Sequence, residues 1–446
     1  MKIAIVGGGI SGLVAAYRLN ANHDITVFES NQYIGGHTNT ISIDDFSPSQ
    51  DEQSGLAVDT GFIVFNERTY PQFTRLLAEL DVESQPTEMS FSVADVSRGM
   101  EYNGHSINGL FAQRKNLASP WFYRLLWDIL RFNRIAQESP DLTDSAQTIG
   151  EFVKSHRFSK QFQSHYLFPM GAAIWSCPVG TFANFPVQFV IEFYRNHGLL
   201  QLKDRPQWMV IKGGSQEYVQ KLTRPFQDRI KLNAPVARVT RNQDTIRLWL
   251  SGQTDEAAAQ EFDHVVFACH SDQALKILGD SATQLEQDVL KAFPYAKSTA
   301  VLHTDEKILP RSRRAWASWN YRVTDFESEA VCVTYNMNIL QSLQSQQTYC
   351  VTLNGDELID ASKIVYQTSY EHPIFTTERQ LAQSRHVDLL QANRTSFCGA
   401  YWRNGFHEDG VVSGLRVAEA LYGKCAKGSA GTLSSDARSV SVATES

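Results

Sequence analysis

A chain of 446 residues is too long for one small core and predicts two domains or three. Hydrophobic residues make up 42% and charged residues 20%, and no stretch reaches the ~20 apolar residues needed to span a bilayer. Basic side chains number 41 against 48 acidic ones, a net charge of −7 that argues against nucleic acid as the main partner.

The first elements are a strand at 2–6 (KIAIV), a helix at 12–20 (GLVAAYRLN) and a second strand at 25–28 (ITVF) that ends on Glu29. A triple glycine inside this stretch argues against a secretory signal. Residues 44–55 (DDFSPSQDEQSG) are polar and acidic and read as a surface excursion. From about 90 to 205 the chain is rich in aromatics and helical spacing, and strand-like runs return at 230–250, 262–268 and 298–355. A strand and a helix close the chain at 396–421, and the small polar residues 426–446 predict disorder. The six cysteines (177, 269, 332, 350, 398, 425) show no C-x-x-C pair and no metal-ligand spacing, so they read as reduced, mostly buried thiols of a cytoplasmic protein.

Between the first strand and helix, Gly7-Gly8-Gly9-Ile10-Ser11-Gly12 fits G-x-G-x-x-G. Gly7 permits the tight turn, Gly9 lets backbone approach a pyrophosphate, and Gly12 lets helix pack on strand. The helix N-terminus presents free N–H groups and a partial positive charge to the phosphates. Glu29 and the adjoining Ser30 end the second strand, where the Glu29 carboxylate can accept hydrogen bonds from both ribose hydroxyls and disfavours a 2′-phosphate. This motif alone does not separate NAD from FAD.

A second glycine pair does. After Glu29 come five residues, then Gly35-Gly36-His37-Thr38, a spacing that resembles flavoproteins of the glutathione-reductase type. KGGSQEYVQKL (212–222), NAPVARV (233–239, with Val236) and FCGAYWRNGFHEDGVVSGLRVAEAL (397–421) extend the resemblance. Together they are similar to the FAD-dependent amine oxidase superfamily, which includes monoamine oxidases, phytoene desaturases and protoporphyrinogen oxidases. The resemblance implies an α/β fold: a glutathione-reductase-type Rossmann FAD domain (1–90, 205–275 and 385–425) with an inserted α+β substrate domain (91–204 and 276–384). It implies FAD contacts at Gly7, Gly9, Ile10, Ser11, Gly12, Glu29, Ser30, Gly35, Gly36, His37, Thr38, Gly61, Val236, Gly399, Val411 and Val412. The closing helix would point at the flavin N1–O2 edge and stabilise the charge of a reduced flavin. Relatives commonly carry arginine where His37 stands, and a neutral histidine is the weaker phosphate anchor.

The stretches VDTGFIVFNERTYP (58–71, with Gly61), VLHTD, AWASWNY and GFHEDG narrow the resemblance. They look like a bacterial amine-oxidase-like group related to a domain fused in plants to cyclopropane fatty acid synthase, and to flavin desaturases of furan fatty acid synthesis. This implies an FAD-dependent oxidoreductase that removes a hydride from carbon, a desaturase or oxidase of an acyl lipid. The alternatives are a flavin amine oxidase or a non-catalytic flavin-binding partner of a lipid-modifying methyltransferase. Amine oxidases of the superfamily place a lysine near flavin N5, where Thr299 falls here, with Lys297 on the same strand face.

Trp175, Trp319 and Tyr321 are the candidate lining of a substrate cavity, while Trp402 and His407 precede the closing helix and approach the flavin or serve packing. The segment 119–134 (SPWFYRLLWDILRFNR) reads as a helix with apolar side chains at 122, 125, 126 and 129. Residues 109–135 carry Arg114, Lys115, Arg124, Arg131 and Arg134 against Asp128, a local +4. Two readings stand: an ordinary core face, the commoner outcome, or a peripheral contact with an anionic membrane.

Overall fold

The computed structural model describes residues 1–46, 55–138, 147–175, 177–201, 205–242, 244–323 and 332–425. Most of the polar excursion at 44–55 and the whole tail 426–446 lie outside the described residues.

Five strands form a parallel sheet in the spatial order Ile230–Lys231, Asp24–Phe28, Lys2–Val6, His264–Phe267, Thr395–Phe397. The central runs IAIV and HVVF are buried throughout, as expected of strands covered on both faces. The helix Ile10–Leu19 leaves the first strand through the glycine turn, and the helix His407–Cys425 lies across it. Their contact depends on two glycines: a Cβ on Gly410 would stand 2.6 Å from Ile10 Cγ2, and one on Gly414 2.4 Å from the Ser11 carbonyl oxygen. This is the α/β fold with a parallel sheet that the sequence predicts.

A second sheet of seven strands runs Ile364–Pro373, Tyr295–His303, Cys350–Leu353, Cys332–Asn336, Trp319–Val323, Phe91–Asp95, Met100–Asn103. It is antiparallel except where Trp319–Val323 runs parallel to Phe91–Asp95. The section from residue 90 therefore opens with two strands rather than helices. Pairing with a partner more than 200 residues away decides this, a contact that local periodicity does not register.

Helices between 120 and 196 cover that sheet. Phe122, Phe132, Phe152, Phe162, Phe182 and Phe185 are fully enclosed among them, each stabilising by roughly 1.5–3 kcal/mol. One of these helices contains a π turn, Gln163–Leu167, before continuing as Phe168–Trp175. Such turns re-aim side chains and recur at functional sites.

Candidate functional site

A cavity of about 1180 Å³ runs from the glycine turn of the parallel sheet to the aromatic interior beside the seven-stranded sheet. Ordinary small-ligand pockets end near ~1,000 Å³, so this one has room for a long cofactor and a second molecule.

At the first end the wall is backbone. Gly7 takes φ +114°, and its N–H donates to the Phe28 carbonyl at 2.9 Å, turning the chain back over the sheet. No side chain caps the helix Ile10–Leu19 at Gly9, and a Cβ there would meet nothing within 4 Å. The first-turn N–H groups thus face open space, the arrangement that receives a diphosphate. Gly12 does not line the cavity; a Cβ on it would stand 2.1 Å from the Gly7 oxygen, so it serves the packing of helix on turn.

The second glycine pair is fastened to the first. Gly35 N–H donates to the Gly8 carbonyl at 2.9 Å, and a Cβ on Gly36 would approach Gly9 Cα to 3.2 Å. Each following residue then has a separate attachment. Thr38 Oγ1 lies 2.6 Å from Tyr218 Oη, Asn39 Nδ2 donates to Tyr370 Oη at 3.1 Å, and Thr40 Oγ1 donates to Asp59. Gly61 lets this segment pass, since a Cβ on it would sit 2.1 Å from the His37 oxygen. Glu29 lines the cavity with both oxygens already engaged: Gly8 N–H donates to one at 2.8 Å and Asn31 N–H to the other at 2.9 Å.

His37 faces into the cavity with Nε2 unpartnered. Its ring stacks on Tyr370 at 4.9 Å and meets the edge of His372 at 5.1 Å. Burial, followed by the neighbouring His372, holds the His37 imidazole well below its ordinary value, and burial pushes His372 down to about 4. His372 Nδ1 and His270 Nδ1 also lack hydrogen bonds, the latter 3.4 Å from the Glu371 carboxylate. His407 stacks on Phe62 at 3.6 Å, accepts or donates at Tyr218 Oη 3.0 Å away, and is pushed down to about 3 by burial.

At the far end the wall is side chains. Met89 and Phe91, the π-turned helix with Tyr166, Met170, Ile174 and Trp175, and Trp319 with Tyr335 converge from segments distant in sequence. Trp175 is both cavity wall and core, packed against Phe182, Phe193 and Phe375. Trp319 lines the cavity with its Nε1 unpartnered.

Several expected positions lie elsewhere. Tyr321 is buried one strand repeat beyond Trp319, opposite Val93 and Val333, and is not part of the wall; in its row of the sheet Tyr102 lines the cavity instead. Val411 and Val412 do not line it either. The closing helix begins at His407, so these two fall after its first free N–H groups, and the wall is formed by Phe406 and His407 instead. Val236 starts a strand of a separate three-stranded sheet, and Thr38 faces Tyr218 rather than the cavity. Trp402 is buried against His386, with ring centres 4.0 Å apart. The remaining expected residues, Gly7, Gly9, Ile10, Ser11, Ser30, Gly35, Gly36, Gly61 and Gly399, line the cavity.

Lys297 lies on the rim opposite Glu371 in the strand register, exposed and on the His270 side, while Thr299 N–H is taken by Asn354 Oδ1 at 3.0 Å. Among the described residues no lysine lines the aromatic end. The strand Ile364–Pro373 supplies wall residues that sequence reasoning missed: Tyr366, Thr368, Tyr370 and His372. Ser369, Glu371 and Pro373 line it as well, so the wall takes residues from both faces of this strand and no simple alternation in the sequence marks them.

A family model for flavin containing amine oxidoreductase matches residues 10–338. The chain belongs to that family. It is accordingly an FAD-dependent oxidoreductase, and the open helix N-terminus and interlocked glycine pairs fit that cofactor. Among solved structures, cyclohexylamine oxidase from Brevibacterium oxydans IH-35A is similar with a TM-score of 0.65 at 15% identity, covering 95% of this chain and 99% of that one. The CLA-producing fatty acid isomerase from P. acnes is similar with a TM-score of 0.63 at 12% identity, covering 94% and 97%. The Staphylococcus aureus (strain Newman) 4,4'-diapophytoene desaturase is 44% identical over 48 residues, a match spanning 10% of each chain. In this flavoprotein no described helix is long and apolar enough to cross a membrane, and Cys177, Cys269, Cys332, Cys350 and Cys398 are free thiols.

Proposed function

We propose that this family member desaturates an acyl chain, a hydride leaving one carbon for the flavin and a proton leaving the adjacent carbon for water as the double bond forms. The observation that carries the reading is the composition of the far end of the cavity. Met89, Phe91, Met170, Ile174, Trp175 and Leu340 form an elongated apolar wall, and the cavity's described carboxylates, Glu29 and Glu371, stand at the nucleotide end. An alkyl chain gains by leaving water here, whereas an ammonium group would be desolvated without a charged partner.

FAD, when bound, supplies the two-electron acceptor. The chain's own groups hold and shield it. The N–H groups at Ile10 and Ser11 would receive its diphosphate, Glu29 holds the glycine turn in shape, and His37 and His372 offer ring nitrogens without other partners. Phe406, Tyr370 and Trp208 exclude water from the middle of the cavity, and Trp319 offers one N–H to orient a polar atom of the substrate. A lipid-modifying methyltransferase is the working partner proposed with this reading, and the fatty acid isomerase of similar fold supports a fatty acyl substrate. Amine oxidation is the competing reading, drawn from the family description and the oxidase of similar fold.

Anaerobic incubation of the FAD-loaded protein with acyl phospholipids or with primary amines separates the two. Bleaching of the visible flavin band by the lipids and not by the amines is expected. Bleaching by amines alone overturns the acyl reading.

A further inference from the structure

The helix Pro120–Glu138 carries two apolar stripes, not one. Phe122, Leu125, Phe132 and Ala136 are buried in the core, Phe122 against Tyr102 of the sheet and Phe132 against Phe152 and Phe162 of neighbouring helices. Tyr123, Trp127 and Leu130, spaced i, i+4, i+7, point the other way, and Trp127 is 54% exposed. A helix that is only a core element has no reason to repeat large apolar residues on its solvent face.

The outward stripe continues into the segment before it. Tyr123 Oη donates to the Leu117 carbonyl at 3.0 Å, and its ring lies 6.4 Å from Phe111, which caps the short helix bearing Ile107. Leu117 is exposed and Ile107 is 78% exposed. Five of the exposed large apolar side chains among the described residues thus fall between 107 and 130, with Tyr123 in contact with Leu117 and Phe111, where scattered single ones would be ordinary.

Cations frame it. Arg124 and Arg131 flank the Trp127 ring at 5.4 and 5.6 Å, and Arg114, Lys115 and Arg134 add to them. The acid facing this group is Asp128, fully buried beneath the helix, 3.1 Å from Arg124 and 3.5 Å from Arg131. The result is a positive, aromatic, apolar face on a chain of net charge −7. The cavity wall at Gly104 and His105 is two residues from Ile107, so the patch adjoins the substrate end.

We infer that this face docks on an anionic lipid bilayer, with Ile107, Leu117, Tyr123, Trp127 and Leu130 in the acyl–headgroup boundary and the cations at the phosphates. Aromatic rings with flanking arginines suit that boundary, where one side is apolar and the other wet and negative. The docking surface stands whether or not the bound lipid is also the substrate, because binding to vesicles is read without turnover.

The test is co-sedimentation of the full-length, FAD-loaded protein with phosphatidylcholine vesicles and with vesicles containing phosphatidylglycerol. Pelleting with the anionic vesicles, and its reversal by salt, is expected. Trp127→Ser combined with Leu130→Ser should abolish it while the flavin spectrum and melting temperature stay as in the parent. Arg114→Gln and Lys115→Gln, whose side chains are at the surface, should each weaken partition about fivefold. Parent protein that stays in the supernatant with both vesicle types overturns the inference. So does a concentration-dependent dimer that Trp127→Ser dissociates, since the occupant would then be a second copy of this chain.

Discussion

The two ends of the cavity recognise by different means. The nucleotide end works through backbone: glycines at Gly7, Gly9 and Gly36, and N–H groups of one helix. The far end works through side chains brought together from residues 89, 91, 170, 175, 319 and 335, none of which is special alone. The frame behind this backbone tolerates almost no added atoms, because a Cβ at Gly7 would stand 2.7 Å from the Ala268 oxygen and one at Gly61 2.1 Å from the His37 oxygen, while at Gly9 the open space is left for a ligand. Side-chain recognition tolerates exchange and thereby leaves substrate choice free to drift on a fixed cofactor frame.

Substitutions at the two ends should therefore fail differently. The largest effect is expected for Gly12→Val, whose side chain drives the helix off the turn. The purified protein should lack the visible flavin band, and full flavin content would break the comparison at once. Glu29→Ala comes next. It removes the carboxylate expected to accept from the FAD ribose, a charge-assisted bond of about 1.5–3 kcal/mol made only in the complex, so FAD titrated into apoprotein should bind roughly 10–100-fold more weakly.

Acidification should act on the two processes with opposite signs. Burial pushes His197, His303, His372 and His386 down to about 4 and His407 to about 3, so the folded apoprotein binds fewer protons than the unfolded chain between these values and 6.5. Stability is then lost as pH falls below 6.5. Asp59 and Asp409, pushed up to about 6 by burial, and Glu408, also raised by burial, oppose this, but three carboxylates stand against nine histidines once His23, His37, His165 and His270, lowered as well, are counted. Melting temperature of the apoprotein should decline from pH 6.5 toward 4. FAD affinity should instead rise over the upper part of that range, because a diphosphate beside His37 and His372 favours their charged forms. The gain is at most about tenfold per pH unit for each proton taken up, and His372→Gln should flatten it.

Trp319→Leu should leave FAD binding unchanged and raise KM for substrate roughly tenfold, the mark of a wall residue. The smallest effect is expected for Lys297→Met. Being on the rim beside Glu371, it should change the rate of flavin reduction less than about twofold. A loss of a hundredfold or more would restore the lysine role of the amine oxidases and move the substrate assignment with it.

What the sequence made legible follows the same division. The glycine turn, Glu29 and the Gly35–Gly36 pair can be read because a positive φ or a close approach admits one residue type. Trp175 and Trp319 could be named but not distinguished from packing, and Tyr321 was grouped with Trp319 because parity gives the face of a strand and not where a cavity stops. His372 and His270 escaped notice since each is ordinary in its own segment; the strand 364–373 carries His372 to His37, and His270 meets Glu371 of that strand from the start of the helix Ser271–Leu278. The second stripe of the helix Pro120–Glu138 was hidden by the first, as a helix apolar on two faces shows weaker periodicity than one apolar on a single face.

The crossing of Ile10–Leu19 by His407–Cys425 sets an order of events during synthesis. The glycine turn emerges among the first residues made, but Gly410 and Gly414, which close over it, are added some 400 residues later. Until then the apolar face of the first helix, with Leu13 and Val14, lacks its cover. Capture of the flavin is consequently an event of the finished chain, and a ribosome stalled before residue 407 would hold a nascent protein with half of its nucleotide frame open to water.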